Sequence, residues 1–180
     1  MRKNKSTKLL LWVGIAGMTM FFAGLTSAYI VRKAEGNWSE LPFPDWFLYS
    51  TIIIVFSSFC LIKSLRNIKR NKNAFNWLLY SLILGLFFAF FQIKGWQDLV
   101  AQGFYMTGEG SNVSASFLYV ITLSHLVHLS GGLIALLVIT VNSKYGKYTS
   151  DNYLGIELIS IYWHYLGCLW LYLYLFMLYI

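Results

Sequence analysis

Five apolar stretches, each long enough to cross a bilayer, fill most of this 180-residue chain and leave only short gaps between them. A hydrocarbon core of ~30 Å takes about 20 helical residues at ~1.5 Å each. The stretches run from about Leu9 to Val31, Trp46 to Leu65, Trp77 to Trp96, Ser116 to Val141 and Leu154 to Ile180. Open strands would leave backbone groups unpaired in lipid, so all five read as helices. The expected fold class is all-α, an integral membrane bundle of five transmembrane helices. With 58% hydrophobic residues, the fourteen Lys and Arg and seven Asp and Glu could not clothe a soluble domain of this length. No repeat, low-complexity tract or second domain is visible, and residues 1–180 read as a single membrane domain. The first stretch is longer than the ~7 to 15 apolar residues of a signal peptide, so it is expected to be a retained helix.

If the helices alternate in direction, the gaps sort by charge. One side collects Arg2, Lys3, Lys5, Lys8, Lys63, Arg66, Lys69, Arg70, Lys72, Lys144 and Lys147. The other holds Arg32, Lys33 and Lys94 together with Glu35, Glu40, Asp45, Asp98 and Glu109. Cytoplasmic loops carry the excess of Lys and Arg, which puts the N-terminus in the cytoplasm and the C-terminus outside. Trp12, Trp46, Trp77 and Trp96 fall near span ends, where indoles anchor at the interface. The net charge of +7 comes from these gaps rather than from a basic face, so no nucleic-acid partner is expected. Cys60 and Cys168 both lie within apolar runs and form no paired-cysteine motif.

Polar groups inside a membrane are costly and call for a partner or a purpose. In the fourth span His125, His128, Gly132 and Ala135 share one helical face, and in the fifth Glu157, His164 and Cys168 share another. The two faces are expected to meet. Imidazole is the commonest metal ligand, so a metal or haem site is one reading. The chain has only three His, however, too few for two bis-histidine haems. Glu157 lies about 10 Å along the axis from His164, so it is badly placed to complete a mononuclear site. In the competing reading these side chains bond and pack across helices. Glu157 also sits where a carboxylate favours a helix N-terminus, or could take part in proton uptake. Gly17, Gly24 and Ala28 of the first span form a small-residue stripe suited to close helix packing, and Trp163 and Trp170 share a face of the fifth. No phosphate loop, Ser/His/Asp set or His-Glu-x-x-His run occurs, so no independent enzyme activity is expected.

The ordered set of motifs resembles subunit III of the haem-copper oxidases, the cytochrome c oxidase type. It comprises Met20-Phe21-Phe22-Ala23-Gly24 with Ser27-Ala28-Tyr29, Ser50-Thr51 with Ser57-Ser58, Phe91-Gln92 with Trp96, and Ser116-Phe117. It continues through His125-Leu126-Val127-His128 with Gly132, then Gly155 and Glu157, and ends with Tyr162-Trp163-His164-Tyr165 and Trp170. The chain looks like a short form of the family, without the first two of seven helices. The resemblance implies an accessory subunit that binds no haem or copper itself. It would pack against a catalytic subunit I carrying haem and copper, beside a copper-binding subunit II, and would hold phospholipid and support stability and proton uptake. The implied location is a bacterial inner (plasma) membrane. His125, His128, Gly132, Glu157, His164 and Trp170 would then be interhelical polar and packing residues. Where the family pattern has three acidic residues this chain has Met18, Gly95 and Gly167, which removes proton-handling groups there. Two rival readings are a haem-b electron carrier using His164 with His125 or His128, and a small-molecule transporter. The broken helices and inverted repeats expected of a transporter are not seen.

Overall fold

The computed structural model describes residues 2–36, 38, 41–108 and 111–180, with side chains from residue 5 onward. Glu40 and Glu109, two of the acidic loop residues, and the side chains of Arg2 and Lys3 lie outside the described residues. The elements are α1 (Arg2–Ala34), α2 (Asp45–Lys69), α3 (Phe75–Ala101), α4 (Val113–Lys144) and α5 (Leu154–Tyr179). All five are long and apolar enough to cross a membrane. Four of them extend beyond the apolar runs, because hydropathy marks where lipid ends whereas capping decides where a helix ends.

Three helices close in the same way. After α2 the Lys72 N–H donates to Asn67 O and the Asn71 N–H to Ile68 O, with Asn71 at φ 55°. After α3 the Phe104 and Gly103 amides reach Leu99 O and Val100 O, and after α4 the Lys147 and Gly146 amides reach Asn142 O and Ser143 O. Each is a Schellman closure, with a left-handed residue supplied by Asn71, Gly103 or Gly146. At the other end of α4 the Asn112 side chain accepts the Ala115 N–H at 2.8 Å, an N-cap.

Helices α2, α3, α4 and α5 form a ring in which each packs on the next and α5 returns to α2. Helix α1 lies outside the ring against α4 and α5. The ring is built on heptads. The buried seam of α2 includes Phe47, Ser50, Ile54, Ser57, Leu61, Ser64 and Ile68, and that of α3 includes Leu78, Ser81, Gly85, Phe88, Gln92, Gly95 and Leu99. Alternating steps of three and four residues keep such a seam facing its neighbour in a left-handed bundle. The α2–α3 pair is antiparallel and pinned by hydroxyls. Ser57 Oγ lies 2.9 Å from Ser81 Oγ, and Gln92 Nε2 donates to Ser50 Oγ at 2.8 Å. In lipid there is little hydrophobic drive between helices, so small residues that permit close approach and interhelical hydrogen bonds take over the role that leucines play in water.

The stripe of Gly17, Gly24 and Ala28 on α1 does not pack within this chain. All three are exposed, and a Cβ added at Gly17 or Gly24 would meet nothing within 4 Å. The inward face of α1 carries Ile15, Phe22, Thr26 and Tyr29, whose bulk fills the groove between α4 and α5.

Candidate functional site

The polar residues of α4 and α5 do not converge. His125 is buried in the ring, with its imidazole centroid 5.2 Å from the Trp170 ring, 5.9 Å from Phe88 and 6.4 Å from Phe22. Neither ring nitrogen has a hydrogen-bond partner among the described residues. His128 faces α1, where Phe22 and Phe21 lie 5.6 and 6.1 Å away, and its Nδ1 bonds the Ser124 carbonyl of its own helix at 2.7 Å. The bond between helices at this position comes from the backbone, since the Tyr162 hydroxyl donates to His128 O at 3.0 Å. Gly132 lies against α5, where an added Cβ would stand 3.0 Å from Tyr162 Cε1 and 3.2 Å from Leu166 Cδ1.

His164 points away from all of these and lines a groove between α5 and α2 with Ser58, Ile62, Gly167 and Cys168. The expectation that the His125 face of α4 meets the His164 face of α5 is therefore corrected. What α5 turns toward α4 is Tyr162, Trp163 and Leu166. The reason is geometric: α5 touches α1, α2 and α4 at once, so adjacent residues such as Trp163 and His164 meet different surroundings. The three imidazoles sit in three separate settings, and a haem held between His164 and His125 or His128 has no support in this arrangement. Among the described residues no group of three His, Cys, Asp or Glu is placed to hold a metal ion.

Glu157, in the first turn of α5, accepts from Lys8 Nζ at 2.7 Å and so ties α1 to α5. The sequence suggested a helix-dipole role for this carboxylate but not its partner, 149 residues away. Trp170 is fully buried and donates from Nε1 to Thr51 Oγ1 at 2.9 Å. Trp163 does the same one heptad earlier, donating to Ser57 Oγ at 3.0 Å, and Trp96 donates to Thr122 Oγ1 at 3.0 Å. These indole–hydroxyl pairs join α5 to α2 and α3 to α4. The hydroxyls of α2 stand in the sequence as the Ser50-Thr51 and Ser57-Ser58 pairs, without a sign of their indole partners. The available signal was the seven-residue spacing of Ser50, Ser57 and Ser64, all buried.

Residues 40–180 match the family model described as cytochrome c oxidase subunit III. The chain belongs to that family. It is similar to a probable cytochrome c oxidase subunit 3 of Nocardia farcinica, at 27% identity over 92% of this chain and 83% of the relative. The corresponding protein of Mycobacterium tuberculosis is 28% identical over 88% of this chain and 80% of its own length. The cytochrome c oxidase subunit 3 of Synechocystis is 28% identical over 86% and 67%.

Met18, Gly95 and Gly167, where the resemblance implies acidic residues, have different settings in this chain. At Gly95 an added Cβ would lie 2.9 Å from the Phe47 ring, so the space a carboxylate would need is taken by an aromatic side chain. At Gly167 the nearest atom is Ser58 Oγ at 3.4 Å, an ordinary contact at the edge of the α2–α5 groove. Met18 is half-buried on α1.

Proposed function

We propose that this chain is an accessory subunit, without a redox centre of its own, of a respiratory oxidase of the haem-copper, cytochrome c oxidase type. It forms one domain in a bacterial plasma membrane, with its N-terminus in the cytoplasm. It packs against a catalytic subunit carrying haem and copper, beside a copper-binding subunit, and contributes stability, phospholipid binding and support for proton uptake. Oxygen reduction takes place in the partners. The observation that carries the reading is the family match across residues 40–180.

The arrangement of polar groups supports it. We read His125, His128, Gly132, Glu157, His164 and Trp170 as interhelical polar and packing residues: three imidazoles in three settings offer a scaffold rather than a redox centre. Glu157, three-quarters buried and joined to Lys8, is the carboxylate we assign to proton uptake. The broad apolar exterior, with Phe56, Phe59, Phe87, Phe90, Val127 and Ile134 exposed, suits lipid and partner helices.

The test is mass spectrometry of everything that copurifies stoichiometrically with the chain in mild detergent, followed by a reduced-minus-oxidised spectrum of the chain stripped of partners. The expected result is copurification of a large subunit and a copper-binding subunit, with no intrinsic haem band. Purification of the chain alone, or a haem band that stays with it, would overturn the proposal.

A further inference from the structure

The groove between α2 and α5 has two adjoining sections that share Ile62 and His164. The first, of about 300 Å³, is lined almost wholly by apolar groups of Ile54, Val55, Phe59, Gly167 and Leu171, with Cys168 at its edge. The second, of about 400 Å³, opens among Arg66, Lys69 and Glu157, where the C-terminal turn of α2 lies beside the first turn of α5. An apolar trough therefore ends in a charged mouth.

The sign of that mouth follows from the partners of its charges. Glu157 is already paired with Lys8 at 2.7 Å. Lys63 turns aside onto the Trp77 ring, 4.6 Å from its centroid. Arg66 forms no ion pair among the described residues, and Lys69 has only the Tyr153 ring, 5.4 Å away. Two cations thus remain for an anion at one end of a trough that water cannot favourably fill. Basic pockets between transmembrane helices recognise anionic lipid headgroups by this combination.

We propose that the α2–α5 groove seats one anionic phospholipid, its phosphate between Arg66 and Lys69 and an acyl chain running past Ile62 and Gly167 toward Leu171. This specifies the lipid-binding role proposed above and rests on that reading. His164 stands where the two sections join, and its Nδ1 has no partner among the described residues, so the imidazole can meet the polar ester region of the lipid. Gly167 keeps the trough open, since a larger side chain there would project beside Ser58 and Ile54. A free phosphate would leave the apolar section uncovered, which is why the occupant is a lipid.

The experiment uses the full chain in the assembly in which it purifies, reconstituted in phosphatidylcholine vesicles. The vesicles carry a trace of phosphatidylglycerol or phosphatidylcholine with a photoreactive group on the acyl chain. Crosslinks mapped by peptide mass spectrometry are expected on residues 54–62 of α2 and 164–171 of α5. The phosphatidylglycerol probe is expected to label these positions more strongly, by about fivefold for each cation engaged. The double variant R66Q/K69Q should lower its yield to that of the phosphatidylcholine probe, whereas K63Q should not. Excess inorganic phosphate should leave the labelling unchanged.

Equal yields from the two probes, labelling spread evenly over the outer faces of other helices, or loss of labelling in inorganic phosphate would overturn the proposal. So would crosslinking of the same positions to a protein segment instead of lipid. Failure of the accessory-subunit reading would appear separately, as missing oxidase subunits in the purified material, with the crosslink map still readable.

Discussion

Replacing Gly85 with alanine is expected to weaken the bundle by about 1 to 4 kcal/mol, although alanine is the better helix former. The added methyl would stand 2.7 Å from Trp163 Cη2, 2.8 Å from Trp163 Cζ2 and 2.9 Å from Leu133 Cδ2. Trp163 is fully buried, and its indole N–H is held by Ser57 Oγ at 3.0 Å, so the ring cannot withdraw without losing that bond. Overpacking of this kind costs about 1 to 3 kcal/mol. Loss of an interhelical hydrogen bond adds an average of ~0.6 and at most ~1.7 kcal/mol, against a helix-propensity gain of ~0.8 to 1.0 kcal/mol. The assay is equilibrium unfolding of the full chain in mixed micelles, followed by far-ultraviolet circular dichroism. The control is Gly131→Ala on α4, exposed and with nothing within 4 Å of its added Cβ, which should be neutral or slightly stabilising. A second arm makes Gly85→Ala in a Trp163→Phe background, where the removed ring atoms are those the methyl would strike. Its cost should fall there by at least ~0.5 kcal/mol, the smallest coupling usual for residues in contact. If Gly85→Ala matches Gly131→Ala, or if its cost is the same in both backgrounds, the packing argument is wrong.

Three further substitutions probe other parts of the bundle. His125→Leu should leave stability unchanged or raise it, because it replaces a buried imidazole that has no hydrogen-bond partner among the described residues with an apolar side chain; a loss above ~2 kcal/mol in the same unfolding assay would contradict this. Gly95→Glu should sharply reduce accumulation in the membrane, because Phe47 occupies the space, whereas Gly167→Glu should accumulate better; quantitative immunoblotting of membranes compares the two. Lys8→Gln should cost about 0.2 to 1 kcal/mol, since its pair with Glu157 is partly exposed, and the swapped pair K8E/E157K should recover part of that loss; equal stability of all three proteins would show that the bridge contributes nothing.

The number of spans and their approximate limits could be read from hydropathy alone, because a solvent without hydrogen-bonding groups leaves few alternatives to a helix. The ends were less legible. Asn71, Gly103 and Gly146 stop three helices by left-handed closures, a local backbone signal that an apolar count passes over. The candidate residues could be picked out as a set and not as an arrangement. His125, His128, His164 and Glu157 could be picked out because polar groups are scarce in lipid, yet the face each one presents was not deducible from its own helix. Trp163 and Trp170 were visible as an aromatic stripe; that their N–H groups hold Ser57 and Thr51 of α2 was not.

The sequence by itself determined that this is a membrane protein of five helices, and its ordered motifs carried the resemblance to the subunit III family. Tertiary structure alone decided which face of each helix turns inward and which partner each polar atom meets. The physical reason is that lipid and helix interiors are almost equally apolar, so hydrophobicity, which orients a helix in water, carries little information here. Orientation comes instead from the fit of small residues to large ones, as Gly85 receives Trp163, and from hydroxyls within reach of indoles. Those are relations between segments far apart in the chain, and they exist only once the helices have packed.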